Sequence, residues 1–103
     1  MAIGMFSRYG ISKAMQNAAV RSLAATESLV DVNAVCPGFI DTPMLAEGAG
    51  ANQDVLDGVV NQLPIRRIAG PNEVADVIAW LFSSQSSYVT GVAMPIDGGW
   101  TAQ

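Results

Sequence analysis

The sequence predicts an α/β fold with parallel strands, of which this chain holds only a part. A helical stretch, a short β-branched run, further helices and a second short strand follow one another, and strands alternating with helices imply parallel pairing through a right-handed crossover. The first strand-type run is apolar enough to need cover on both faces. Only two such runs are present, and a two-stranded parallel sheet leaves unpaired edges. Residues 1–103 therefore read as a single partial domain.

The elements follow in order. From about Ser7 to Ser28, apolar or small residues recur at Ile11, Ala14, Met15, Ala18, Ala19, Leu23 and Ala25 with no internal proline, which predicts a helix with Ser7 as its N-cap. The apolar surface extends past one stripe and implies contacts on more than one side. "VDVNAVCPG" is short and β-branched, a strand from Val30 to Cys36 ended by a Pro-Gly turn. Thr42 is placed to cap a short helix whose first residue, Pro43, sits where a missing N–H does no harm. "AEGAGANQ" reads as loop, and a second short helix covers Gln53 to Asn61 before Pro64. In "GPNEVADVIAWLFSSQ", Pro71 opens a helix, Glu73 lies in its first turn, and Val74, Val77, Ile78 and Leu81 keep helical spacing. A strand from Val92 to Ile96 is closed by Asp97-Gly98-Gly99, and Pro95, which cannot donate to a ladder, assigns it to a sheet edge.

Composition excludes several functions. Apolar residues make up 50% of the chain and charged ones 14%. The net charge is −4, and Arg8, Lys13, Arg21, Arg66 and Arg67 form no stripe, so nucleic acid is not an expected partner. With no histidine and Cys36 as the lone cysteine, a zinc site, a Ser/His or Cys/His nucleophile and an internal disulfide all lack their parts, and no metal is expected. A lone cysteine suits a reducing compartment. No basic region leads into an apolar run at the start, and no uninterrupted apolar stretch reaches membrane-spanning length. The expectation is a soluble, cytoplasmic chain.

"RYGISKAMQN" sets Tyr9 four residues ahead of Lys13, with Asn17 one turn further, so the three share a helix face. A tyrosine with a pKa of about 10 is a poor proton donor or acceptor at neutral pH, and a neighbouring ammonium favours its phenolate. Two unrelated side chains on the wet side of a helix would show the same spacing.

Four ordered segments, Tyr9-Gly10-Ile11-Ser12-Lys13, "VNAVCPGFIDTPM", "GPNEVADVIAWLFSS" and "YVTGVAMPIDGG", together resemble the C-terminal half of the short-chain dehydrogenase/reductase family over nearly the whole chain. The resemblance implies the C-terminal part of a Rossmann-like doubly wound parallel sheet, with two parallel strands plus helices here. It implies hydride transfer between NAD or NADP and a small-molecule carbonyl or alcohol. By that likeness Tyr9 is the general acid/base, and Lys13 lowers its pKa and holds the nicotinamide ribose. Pro37, Gly38 and Ile40 lie along the nicotinamide, and Thr42 bonds its carboxamide or a phosphate. That agrees with ligands lying beyond the carboxyl ends of parallel strands. A plain turn at Pro37-Gly38 and a plain cap at Thr42 are the competing readings.

Ser12 and Ser7 do not match the family's catalytic serine, which lies farther upstream of the tyrosine. Asn33 is expected to serve a local hydrogen bond. The glycine-rich dinucleotide turn is not found: Gly48 and Gly50 form a bare G-x-G with no preceding strand and Gln53 after it. In the family, Met44 to Leu63 belongs to a flap over the substrate. "LAATESLVDVN" is shorter than the family's usual helix-to-strand turn, and Asp31 stands where a basic residue is usual.

Two readings follow. One is an NAD(P)-dependent oxidoreductase portion, inactive without an N-terminal nucleotide-binding half. The other is a non-catalytic, self-associating remnant of that fold. The expected partners are accordingly a complementing N-terminal half or further copies in a homo-oligomer. A complete small hydrolase lacks the necessary nucleophile-base pairs.

Overall fold

A computed structural model of the chain describes residues 2–43, 45 and 52–103, and of residues 2–11 the backbone alone. The elements are α1 (Ala2–Thr26), β1 (Ala34–Pro37), α2 (Gln53–Gln62), α3 (Pro71–Leu81) and β2 (Ala93–Ile96), with 3-10 turns at Ser84–Ser86 and Trp100–Ala102. The chain divides into two compact units, Met1–Ala34 with Tyr88–Met94, and Val35–Ser87 with Pro95–Gln103.

In the first unit, α1 begins well before Ser7, which lies inside the helix and does not cap it. Ala2, Ile3, Met5 and Phe6 carry no break signal, and Gly4 among them weakens the helix without ending it. The helix ends at Thr26, whose hydroxyl donates to Ser22 O and Leu23 O, each at 3.2 Å. Leu29 and Val30 that follow are exposed. The strand expected from Val30 starts only at Ala34. The preceding residues make other bonds: the Val32 N–H donates to Thr90 Oγ1 (3.0 Å) and Gly91 N–H donates to Val32 O (2.7 Å). Asn33 Nδ2 donates to Val89 O (3.1 Å), while its Oδ1 accepts from Val92 N–H (3.0 Å). Asn33 thus serves the structural role its place in the sequence suggested.

The two strands form one sheet of order β1-β2. Ala34 N–H bonds Val92 O at 2.8 Å and, further along both strands, Gly38 N–H bonds Ile96 O at 2.9 Å, so the strands run parallel. Pro95 is exposed, as an edge position requires of a residue without an N–H.

In the second unit, Asn52 caps α2 by accepting the Asp54 N–H at 2.9 Å. Leu63 follows that helix and is the one buried hydrophobic residue among those described. Pro71 occupies the first turn of α3, and the Glu73 carboxylate reaches back to the Gly70 N–H at 2.8 Å. Beyond α3, the buried Ser86 hydroxyl donates to Leu81 O (2.8 Å) and Ser83 O (3.1 Å), closing the turn that follows the helix. Among the described residues no helix is long and apolar enough to cross a membrane.

Candidate functional site

The first unit carries the predicted acid-base pair. Tyr9 and Lys13 both lie on α1, one turn apart, which separates them by about 6 Å along the helix axis. Lys13 is exposed, and Asn17, a further turn on, is half-buried. The Tyr9 side chain lies outside the described residues, as do Gly48 and Gly50.

The second unit carries Pro37, Gly38, Ile40 and Thr42 on one continuous segment. Pro37 ends β1 and is exposed. Gly38 extends the ladder by one bond, to Ile96 O. A Cβ at position 38 would stand 2.7 Å from Asp97 Cβ and 2.8 Å from Asp97 Cα, closer than such atoms approach. Glycine is therefore demanded here by the neighbouring backbone. Phe39 meets the Trp100 ring edge-on at 5.4 Å and 87°. Ile40 pairs in parallel with Ala69, where Asp41 N–H donates to Ala69 O at 2.8 Å. Thr42 Oγ1 accepts the Leu45 N–H at 3.4 Å, the cap that the sequence predicted before Pro43. The segment is thus anchored at both ends, by Ile96 and by Ala69.

Beside it lies a cleft of about 260 Å³ with Phe39, Leu63, Ile65 and Ile96 among its apolar walls and Arg67, Glu73 and Asp97 among its polar ones. Pro37, Gly38, Ile40 and Thr42 are not part of its lining. Arg67 holds the Glu73 carboxylate in a two-pronged bond of 2.8 and 2.6 Å. The Arg67 hydrogen bond, followed by the Gly70 N–H, lowers the Glu73 pKa to about 2, and the same pairing raises that of Arg67. Asp97 Oδ1 accepts from Gly99 N–H (3.0 Å), and its Oδ2 accepts from Thr101 N–H (3.0 Å) and Thr101 Oγ1 (2.6 Å). The Thr101 hydroxyl above all, with these N–H groups, holds the Asp97 carboxyl below the usual carboxylate range. Sequence spacing flagged none of these three. Arg67 and Glu73 meet across a loop, so they share no helical period, and Asp97 reaches Gly38 only through the sheet register. The one available signal was the pair of glycine turns, Pro37-Gly38 and Gly98-Gly99, ending the two strands.

Comparison with known proteins places these features in a family context. A family model described as enoyl-(acyl carrier protein) reductase matches residues 1–101. Cis-4-hydroxycyclohexanecarboxylate dehydrogenase of Sinomonas cyclohexanicum is 43% identical over 98 residues, covering 93% of this chain and 38% of that enzyme. The ligand-free structure of aldohexose dehydrogenase from Thermoplasma acidophilum aligns with a TM-score of 0.87 at 30% identity, covering 94% of this chain and 42% of that one. The structure of 4-hydroxyisoleucine dehydrogenase complexed with NADH aligns with a TM-score of 0.84 at 27% identity, covering 94% of this chain and 40% of that one. The chain spans well under half the length of each.

Proposed function

Since the chain belongs to the short-chain dehydrogenase/reductase family, we propose that it supplies the acid-base helix and the nicotinamide-facing turn of an NAD(P)-dependent oxidoreductase interconverting a carbonyl and an alcohol. The observation that carries this reading is the placement of Tyr9 and Lys13 one turn apart on α1, inside a family match over residues 1–101. The bound dinucleotide supplies the hydride in reduction and accepts it in oxidation. Tyr9 Oη donates a proton to the carbonyl oxygen in reduction and takes it from the alcohol in oxidation. The Lys13 ammonium favours the phenolate by its charge and offers N–H donors to the ribose hydroxyls.

Pro37, Gly38 and Ile40 would lie along the nicotinamide of a bound dinucleotide. The donor set at Thr42 fits its carboxamide or a phosphate, because a hydroxyl that accepts the Leu45 N–H keeps its proton to donate. The segment's anchoring at Ile96 and Ala69 supports a fixed wall for a planar ring. The substrate class is a small hydroxylated or carbonyl compound, as the names of the relatives suggest. The partner is an N-terminal nucleotide-binding half or further copies of the chain, and the compartment is the cytoplasm.

The test is complementation. The purified chain, mixed with the N-terminal portion of a relative such as the Thermoplasma aldohexose dehydrogenase, is expected to restore NADH binding and turnover. Tyr9→Phe in that mixture should cut turnover by about a hundredfold or more while NADH binding persists. Absence of cofactor binding under every refolding condition would reject the proposal.

A second reading, the non-catalytic self-associating remnant, has one observation in its favour: Met15 and Leu23 of α1 are 67% and 51% exposed, and Leu29 is 92% exposed. Sedimentation decides it. A monomer at micromolar concentration contradicts this reading.

A further inference from the structure

The turn after β2 is built more firmly than a chain reversal requires. Gly98 and Gly99 have φ of 62° and 92°, in the left-handed region that side chains rarely enter. Both are held from outside: Ile65 N–H donates to Gly98 O at 3.0 Å, and a Cβ on Gly99 would lie 2.9 Å from the Pro64 ring. The carboxylate of Asp97 gathers three hydrogen bonds from Gly99 and Thr101. A carboxylate so bound has no freedom to rotate, and its Cα and Cβ are fixed with it.

Those two carbons are the atoms that face Gly38. The Gly38 N–H is simultaneously bonded to Ile96 O, the residue before Asp97. Gly38 is thus held on one side by a hydrogen bond, and the space where its side chain would stand is filled by a residue tied through three hydrogen bonds. We propose that Asp97 is a positioning residue for the Pro37–Gly38 turn, and that through this turn it sets how closely the nicotinamide approaches. This inference rests on the dehydrogenase reading. It adds a residue fifty-nine positions from Gly38 that acts through the turn.

The experiment follows the Gly38 amide by NMR hydrogen exchange in the 103-residue chain, alongside NADH affinity in the complemented assembly. Asp97→Ala removes the acceptor of three bonds and should raise Gly38 exchange by roughly ten- to hundredfold, while Val77 to Leu81 of α3 change by less than about twofold. NADH affinity should fall by about fivefold or more in the same variant. Asp97→Asn, which keeps an oxygen for the Gly99 N–H, should recover part of both effects, and the confinement of the change to Gly38 rather than α3 separates positioning from a general structural loss. Unchanged Gly38 exchange in Asp97→Ala, or exchange that rises equally throughout α3, overturns the proposal. Failure of the unsubstituted assembly to bind NADH overturns the dehydrogenase reading instead, and is seen without reference to any Asp97 variant.

Discussion

The two units are held together in opposite ways. Helix α1, which carries Tyr9 and Lys13, has no acidic residue in its first turn and no basic residue in its last, so neither terminus gains from the helix dipole. Its residues Met15 and Leu23 are exposed. The segment carrying Pro37 to Thr42 is instead tied within its own unit by backbone bonds to Ile96 and Ala69 and by the glycine turn at Asp97. Helix α3 in that unit has Pro71 at its start and Glu73 bonded to both Gly70 and Arg67. The contrast teaches that the Pro37 to Thr42 segment is specified by bonds within its own unit, whereas α1 carries few stabilising signals at its termini. Substitutions at the locally specified turn should therefore cost the most.

Gly99→Ala is expected to do the greatest damage. It forces a side chain into φ of 92° and against the Pro64 ring at 2.9 Å. Together the left-handed backbone and the overlap should cost about 2–4 kcal/mol, read as a fall in the urea unfolding free energy. A loss near zero would show that the turn is not the rigid support that the comparison requires.

Asn33→Ala comes next, and tests the first unit where it is best bonded. The variant strips the partners of Val89 O and Val92 N–H at a half-buried position, which should cost about 1–3 kcal/mol. If the loss instead matches that of an exposed substitution, water replaces the side chain and the first unit has no firm anchor at all.

How much of this was legible in the sequence depends on the kind of signal each element carries. Helix α3 announces itself through Pro71 and Glu73, because caps act within one turn of chain, and Asn52 shows the same kind of signal at α2 once the structure is known. The sequence points to Ser7 as the start of α1, but a serine can cap only where the preceding residues leave the helix and Ala2 to Phe6 do not. The β-branched run from Val30 is longer than the strand, because Thr90, Gly91 and the Asn33 side chain capture its first residues. Tyr9 and Lys13 share one helix and Pro37 and Thr42 one segment, so within each pair nearness follows from sequence separation, while the roles expected of them come from the family resemblance. The approach of Asp97 to Gly38 joins residues distant in sequence and is set by strand register, which no local pattern encodes.

Acid should separate the two units. Glu73 titrates at about 2 against an ordinary 4.5, so its contribution is complete above pH 4.5 and is lost as pH falls towards 2. Asp97, whose carboxyl is also held low, acts in the same direction. The second unit should therefore lose stability between those limits, and Glu73→Gln should flatten that part of the pH profile. Because Arg67 and Glu73 are well exposed, about 0.5 M salt should flatten it as well. A profile that Glu73→Gln leaves unaltered would mean that the Arg67 pair is geometry without consequence.

The smallest effect bears on where α1 begins. An N-cap serine replaced by alanine loses about 1 kcal/mol, whereas a serine inside a helix replaced by alanine gains up to about 0.5 kcal/mol, because alanine forms helix better. Position 7 lies inside α1, so Ser7→Ala should raise helicity slightly by circular dichroism and leave the unfolding midpoint unchanged or higher. A drop in helicity would return the start of the helix to Ser7. It would leave Tyr9 and Lys13 in the first two turns, close to backbone N–H groups without helical partners rather than inside a continuous helix.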